Sequence, residues 1–204
     1  MVSILTYRRP HNDPTVQLFI DDVLKNYAFT TLTSPTGEQL ALVLAQGTSE
    51  TLFSYHLDTV HRTGGRQTLG WDTETGLFYK PDSSDDQCLG ADDGAGIWLL
   101  LEMIDAGVPG VYALHYGEER GGVGSSGLAE HHADWLKSFK RAVAFDRRGT
   151  TSVITHQGWG RCCSDTFGDA LADALNAVSG LRMRTDDTGI FTDTANYVEL
   201  IPEC

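Results

Sequence analysis

Short apolar runs alternate with segments of helical period along nearly the whole chain, and that alternation constrains the fold more than any other feature. Over residues 13–27, Val16, Phe19, Ile20, Val23 and Leu24 recur at i, i+3, i+4, i+7 and i+8 behind an Asp13-Pro14 start signal, which predicts an amphipathic helix. Residues 39–45 and 51–56 are short β-compatible runs expected to be neighbouring strands. Residues 67–80 predict a hairpin turning at 72–76, followed by a polar loop at 81–86. Beyond it the pattern predicts a buried helix (93–106), a strand (110–116), a glycine-rich loop (117–124), a helix (125–136) and strands at 141–145 and 151–155. A last helix at 165–178 carries Phe167, Leu171, Ala174, Leu175 and Val178 at helical spacing. Strands alternating with helices predict an α/β domain whose sheet is covered on both faces, with ligands gathering beyond the carboxyl ends of the strands.

The 204 residues fit one domain, and 41% hydrophobic content is too apolar for a disordered chain. A formal net charge of −13 repels a phosphate backbone, and the basic pairs Arg8-Arg9 and Arg147-Arg148 are isolated, so no nucleic-acid partner is expected. The longest apolar run, Ile97 to Leu101, falls far short of the ~20 residues of a membrane span, so no membrane partner is expected. The first residues lack the order of a signal peptide. Cys88, Cys162, Cys163 and Cys204 show no CxxC spacing, which fits reduced thiols and a cytoplasmic protein.

Acids and one histidine collect at the predicted strand ends. His56 and Asp58, two apart, share a side of their strand, where an imidazole can bind a cation through one nitrogen while a carboxylate accepts from the other. In Gly90 to Gly96 small residues surround Asp92 and Asp93 just before a helix, so the acids serve either as a cation bridge or as an N-cap. Glu118 and Glu119 are adjacent and point in different directions, so one can coordinate a metal while the other accepts a proton. Asp146 ends another strand and reads either as a further carboxylate of the cluster or as an Arg-paired turn.

Taken in order, Tyr55-His56-Leu57-Asp58-Thr59-Val60, Leu89 to Gly96, Gly117-Glu118-Glu119 and Phe145-Asp146 resemble the co-catalytic zinc exopeptidases. That family includes the bacterial leucyl aminopeptidases, peptidase T and the carboxypeptidase G type. The resemblance is firm over residues 56–146 and looser through Thr192 to Asn196. It implies a three-layer α/β/α sandwich around a mixed, mostly parallel sheet, one catalytic domain over residues 1–204, and two zinc ions, with manganese or cobalt as alternatives. It makes His56, Asp92, Glu119 and Asp146 metal ligands, with Asp92 bridging, and it implies a cis peptide at Asp92-Asp93. It gives Asp58 the orientation of His56, and Glu118 the general base of peptide or amide hydrolysis. A small peptide or amide is the implied substrate.

One element of the family pattern is missing. A histidine near the carboxyl end usually completes the second metal site, and here no histidine follows His156. Two readings follow: an active exopeptidase with a substitute ligand, His156 or His131 being the first candidates, or a truncated or degenerate member that binds metal or peptide with little hydrolysis. The inserted lid or dimerisation domain of several relatives is also missing, so substrate selection falls to the chain's own loops or to a neighbour in a homo-oligomer. His115 reads as packed within its strand, His131 and His132 as solvated on a helix, His11 and His61 as polar-loop residues, and Cys162, Cys163 and Asp165 as packing and capping residues.

Overall fold

The computed structural model describes residues 1–81, 88–158 and 160–204, so most of the polar loop expected at 81–86 lies outside the described residues. The first long helix is α1 (Pro14–Phe19), continued by a π-helical turn, Ile20–Leu24. Asp13 caps it, its carboxylate accepting from the Thr15 amide, with Pro14 at the first helical position as the sequence signal required. Then come β1 (Thr30–Thr33), β2 (Gln39–Gln46), β3 (Thr51–His56) and the hairpin β4 (Gly70–Asp72) with β5 (Leu77–Tyr79). Next are α2 (Ala91–Asp105), β6 (Gly110–His115), α3 (Val123–His131) and β7 (Arg141–Ala144). The chain ends with β8 (Ser152–Ile154), α4 (Asp165–Ser179) and β9 (Arg184–Asp186), which pairs parallel to β8. Ser164, not Asp165, caps α4, its hydroxyl accepting from the Phe167 amide.

The central sheet runs β1-β2-β6-β3-β7. Its first two pairings are antiparallel and its last two parallel, so the sheet is mixed, with less parallel character than expected. Strands β2 and β3 are not the neighbours they were expected to be, because β6 lies between them. Tyr112, Ala113 and Leu114 of β6 are all fully buried, and this most apolar strand takes the centre of the sheet. β1 was missed although Thr30, Thr31 and Thr33 favour a strand; it is a largely exposed edge without apolar alternation.

Side chains along the strands divide between two apolar clusters. Leu42, Tyr55, Tyr112 and Leu114 pack with Ile97 and Leu100 of α2 and Phe19 of α1, while Val43, Leu52 and Ala113 pack with Leu128 of α3, Tyr197 and Ile201. The period-2 geometry of a strand sends successive residues into opposite clusters, so both faces of the sheet carry apolar packing. No helix among the described residues is long and apolar enough to cross a membrane.

Candidate metal centre

β3 ends at His56 and β6 at His115, two parallel neighbours in register, and β7 stops two residues before Asp146. Their carboxyl ends therefore open on one side of the sheet, where α2 also begins. Within this region His56, Asp92 and Glu119 present ligand atoms within 4.8 Å of one another, and so do His56, Glu118 and Asp146. The five side chains expected to work together are brought together. Among the described residues these are the two groups of three or more His, Cys, Asp or Glu able to hold a metal, and neither His131 nor His156 belongs to them.

His56 is buried to 1% exposure, and its ring is fixed from both sides. Nδ1 lies 3.0 Å from the Asp58 carbonyl oxygen, which only accepts, so Nδ1 carries a hydrogen. Nε2 faces Asp92 Oδ1 at 2.9 Å and Asp146 Oδ1 at 3.9 Å. Burial alone would push the imidazole pKa down, but the Asp146 and Asp92 carboxylates and the charge of Asp93 hold it well above its ordinary value. With acceptors at both nitrogens the metal-free ring is an imidazolium, and the Nε2 proton occupies the direction a cation would take.

Asp58 does more for the glutamates than for His56. Its carboxylate is 3.8 Å from the ring Nδ1, beyond hydrogen-bond reach. Instead Oδ1 accepts from the amides of Gly117 (2.9 Å) and Glu118 (3.1 Å), and Oδ2 from that of Glu119 (3.2 Å). The 3-10 turn Glu118–Arg120 is thus built around a buried carboxylate. Gly117 enters it at φ 74, where a Cβ would meet the His11 ring at 2.8 Å, so glycine is required there.

Two buried charged residues stand behind this layer: Asp93, one of the two acids expected to bridge a cation or cap a helix, and Arg9, which nothing in the sequence singles out. Asp93, joined to Asp92 by the cis peptide that the resemblance implied, accepts from the His56 amide through Oδ2 and from the Gly96 amide through Oδ1. Arg9 is fully buried and donates from Nε to the Leu57 carbonyl (2.6 Å) and from Nη1 to the Ile4 carbonyl, with its guanidinium 4.5 Å above the Phe19 ring. Its charge faces Asp93 and Asp58. Nothing in an Arg-Arg pair near the amino terminus marks one member as internal. Thr192 adds a hydroxyl that donates to Asp146 Oδ2 at 2.7 Å.

Two histidines outside the cluster are fully explained by packing. His115 accepts from the Tyr197 hydroxyl at Nε2 (2.6 Å) and donates from Nδ1 to the Tyr55 carbonyl (2.9 Å), with Asp193 Oδ2 3.2 Å from Nδ1. It is the packed residue that the sequence predicts. His61 lies in a loop, as expected, and is buried there: it is 3% exposed, held between Thr59 Oγ1 and Gln67 Oε1.

The electrostatics fit a cation. Burial raises the Glu118 carboxyl pKa to about 8, with Asp193 and Asp146 adding to the effect. Burial and the charge of Asp92 raise Glu119 to about 7. Asp146 is raised in the same way by burial, against the opposing pull of His56. Glu119 Oε1 is buried with no hydrogen-bond partner among the described residues. An unpartnered carboxylate oxygen among acids that resist ionisation is costly unless a positive charge sits there. One imidazole with several carboxylates is a donor set that zinc, manganese or cobalt accepts.

No protein-family model matches the sequence, and no curated protein does. Solved structures do share the fold. A tripeptidase from Staphylococcus aureus is 18% identical with a TM-score of 0.57, over 76% of this chain and 44% of that one. Aminoacylhistidine dipeptidase from Vibrio alginolyticus is 20% identical with a TM-score of 0.54, over 75% of this chain and 33% of that one. The TET1 peptidase of Pyrococcus horikoshii, which assembles into a tetrahedron or a large octahedral shell, is 15% identical with a TM-score of 0.55, over 92% and 82%. The chain thus spans less than half the length of the first two, and the mixed α/β fold with its central sheet is one that peptidases use.

Proposed function

We propose that this chain is a metal-dependent exopeptidase domain hydrolysing peptide or related amide bonds, with His56, Asp92, Glu119 and Asp146 as ligands of two zinc ions and Glu118 as general base. The three-layer α/β/α arrangement, the single catalytic domain over residues 1–204 and assembly into a homo-oligomer belong to the same reading. What supports it is the convergence of one imidazole and four carboxylates in two sets within 4.8 Å, on a fold shared with peptidases.

Divalent cations bound there would polarise the scissile carbonyl and lower the pKa of a water. The chain's own residues do the rest. Asp92 and Asp146 flank the Nε2 of His56, and Asp92, the most exposed of the ligands, reaches toward Glu119 as a bridge must. Asp58 holds the amides of both glutamates, so the two carboxyls keep separate directions. Glu118 takes the proton of the attacking water and returns it to the leaving amine nitrogen.

The test is a pair of variants assayed on short peptides with free amino termini, with bound metal measured by elemental analysis. The wild-type chain is expected to carry about one to two equivalents of divalent cation. Glu118→Gln keeps the metal and loses about 10²–10⁴-fold in rate; Glu119→Gln loses metal. Equal metal loss in both, with an unchanged rate per bound metal, would show that the roles are not divided this way.

A second reading, metal or peptide binding with little turnover, is favoured by one observation: among the described residues His56 is common to both ligand groups and neither group contains a second histidine. Titrating zinc into stripped protein separates the two readings. Tight binding of one equivalent without hydrolysis at any zinc concentration supports the second.

A further inference from the structure

The packing that fixes His61 also sets its chemistry. Gln67 donates from its amide nitrogen to the Leu5 carbonyl at 2.7 Å and the Leu89 carbonyl at 2.9 Å, which uses both its hydrogens and turns Oε1 toward His61 Nε2 at 3.2 Å. That oxygen only accepts, so Nε2 carries a hydrogen. Burial lowers the imidazole pKa, the ring is neutral, and Nδ1 is left as a bare acceptor. Two groups face that nitrogen, Thr59 Oγ1 at 2.6 Å and Cys88 Sγ at 3.5 Å. Thr59 Oγ1 already accepts from the Arg9 amide at 3.1 Å, so its own hydrogen is the one that rests on Nδ1. Gly90, at φ 75, leaves room for the ring: a Cβ there would lie 2.9 Å from His61 Cε1.

A thiol, a base within reach of it and a group that orients the base are the parts of an activated nucleophile. Cys88 needs such a base, since burial raises its pKa and keeps it protonated, with the Gly90 amide pulling the other way. It is also reachable. Cys88 is half-buried, whereas Cys162 and Cys163 are buried, and burial pushes Cys163 up to about 11 and Cys204 up to about 12. Glu119 and Lys80 bear on the Cys88 sulfur with opposite signs, so neither an anionic nor a cationic partner is selected. A disulfide suits these groups better than an acyl compound, because exchange at sulfur needs no donors for an oxyanion.

We propose that Cys88, His61 and Gln67 form a thiol-exchange site for small uncharged disulfides, with Cys88 as nucleophile, His61 as its base and Gln67 as the positioning residue that orients the base. The Thr59 hydroxyl swings off Nδ1, Cys88 gives its proton to that nitrogen, and Sγ attacks one sulfur of the disulfide. The new S–S bond forms as the old one breaks. The electron pair of the old bond leaves with its second sulfur, which takes the proton back from His61, so one thiol and one disulfide are consumed and one of each is formed. The proposal is independent of the metal reading, since it rests on groups outside the acidic cluster.

The test treats the folded, reduced chain at neutral pH with bis(hydroxyethyl) disulfide and follows the added mass and its position by peptide mapping. Cys88 is expected to react about tenfold or more faster than Cys162, Cys163 or Cys204. His61→Asn is expected to slow that reaction about tenfold or more. Thr59→Val, which frees Nδ1, is expected to quicken it about threefold or more, and only while His61 is present. Equal or faster labelling of another cysteine, an unchanged rate in either variant, or an acceleration by Thr59→Val that persists alongside His61→Asn would each overturn the proposal, the last showing that Cys88 is merely uncovered. Thermal midpoints establish that each variant is folded; where His61→Asn is not, the ranking of the cysteines and the Thr59→Val rate decide alone.

Discussion

Replacing Asp58 by asparagine separates two roles that a carboxylate at this position could have. If it holds the turn at 117–119, the variant loses one acceptor and gains an NH₂ group. With the amide oxygen kept at Oδ1, the amides of Gly117 and Glu118 retain their partner, while the Glu119 N–H faces another donor. A hydrogen bond to a charged acceptor contributes about 1.5–3 kcal/mol, and a buried amide left unpaired costs about 1–3 kcal/mol. The two overlap, since both describe the Glu119 amide, so the expected loss is about 3 kcal/mol. For a chain of this length that is a fall of roughly 6–12 °C in midpoint, at about 2–4 °C per kcal/mol. The His56 ring should not respond, because its Nδ1 donates to the Asp58 backbone carbonyl, which asparagine retains. Thermal unfolding of the metal-free variant, amide exchange at 117–119 and the nitrogen shifts of His56 read both sides. A midpoint within 2 °C of the parent with altered His56 ring nitrogen shifts would refute the turn-holding role and restore the carboxylate as the ring's orienting partner.

Gly96→Ala should destabilise the chain by about 1–3 kcal/mol in urea unfolding, although alanine ordinarily favours a helix interior, because its Cβ would overlap the Asp93 carboxylate that accepts from the His56 amide. Metal-free protein should lose stability as pH rises from about 4.5 to 8. Over that interval folded Glu118 and Glu119 hold protons that the unfolded chain has released, and His56, also raised, moves stability in the same direction. A pH series of midpoints checks this, and a flat or rising series contradicts it. Zinc uptake at pH 6.5 should release about one to two protons, read from the buffer dependence of the calorimetric heat, since His56 Nε2 and the Glu119 carboxyl must both deprotonate to bind.

The parts of the fold that were legible in the sequence are those where one local rule dominates. Asp13-Pro14 caps and opens α1, and the fivefold apolar spacing behind it continues into the π turn, because both signals act within a few residues. The placing of β6 between β2 and β3 was not legible, since strand order is decided by which segment can be buried on both faces, a comparison across the whole chain. The helix expected at 125–136 is interrupted at His132, whose ring Nε2 binds the Thr33 carbonyl at 2.9 Å, a tertiary contact with no local mark. At the candidate site the legible residues are those at strand ends, where a side chain's direction follows from the strand itself. Arg9 and Thr192 were not legible, because each acts from behind through a contact between distant segments; Asp93 was legible as a candidate cap, which its bond from the Gly96 amide supplies, but not as the acceptor for the His56 amide.

That division has a physical basis which bears on the site. His56, Asp92, Glu118, Glu119 and Asp146 sit where ordinary folding forces would not gather them: burial raises the pKa of three of the four carboxyls, and one oxygen of Glu119 has no partner among the described residues. The buried positive charge behind them, Arg9, is spent on two backbone carbonyls and on the fields of Asp93 and Asp58. The front row of acids is therefore left with one imidazolium against four carboxyls. Packing and hydrogen bonding hold the rear residues in place without any ligand. Only the front row depends on a positive charge from outside the chain, so removing that charge should loosen the turn at 117–119 and the Asp92 end of α2 while leaving the sheet intact. Hydrogen exchange of the stripped and zinc-loaded protein tests that pattern directly: protection gained at residues 91–93 and 117–120, with β2, β6 and β3 unchanged, is the expected result. Protection gained uniformly across the sheet would mean that the cation stabilises the whole domain and that the acidic cluster is not a separate unit.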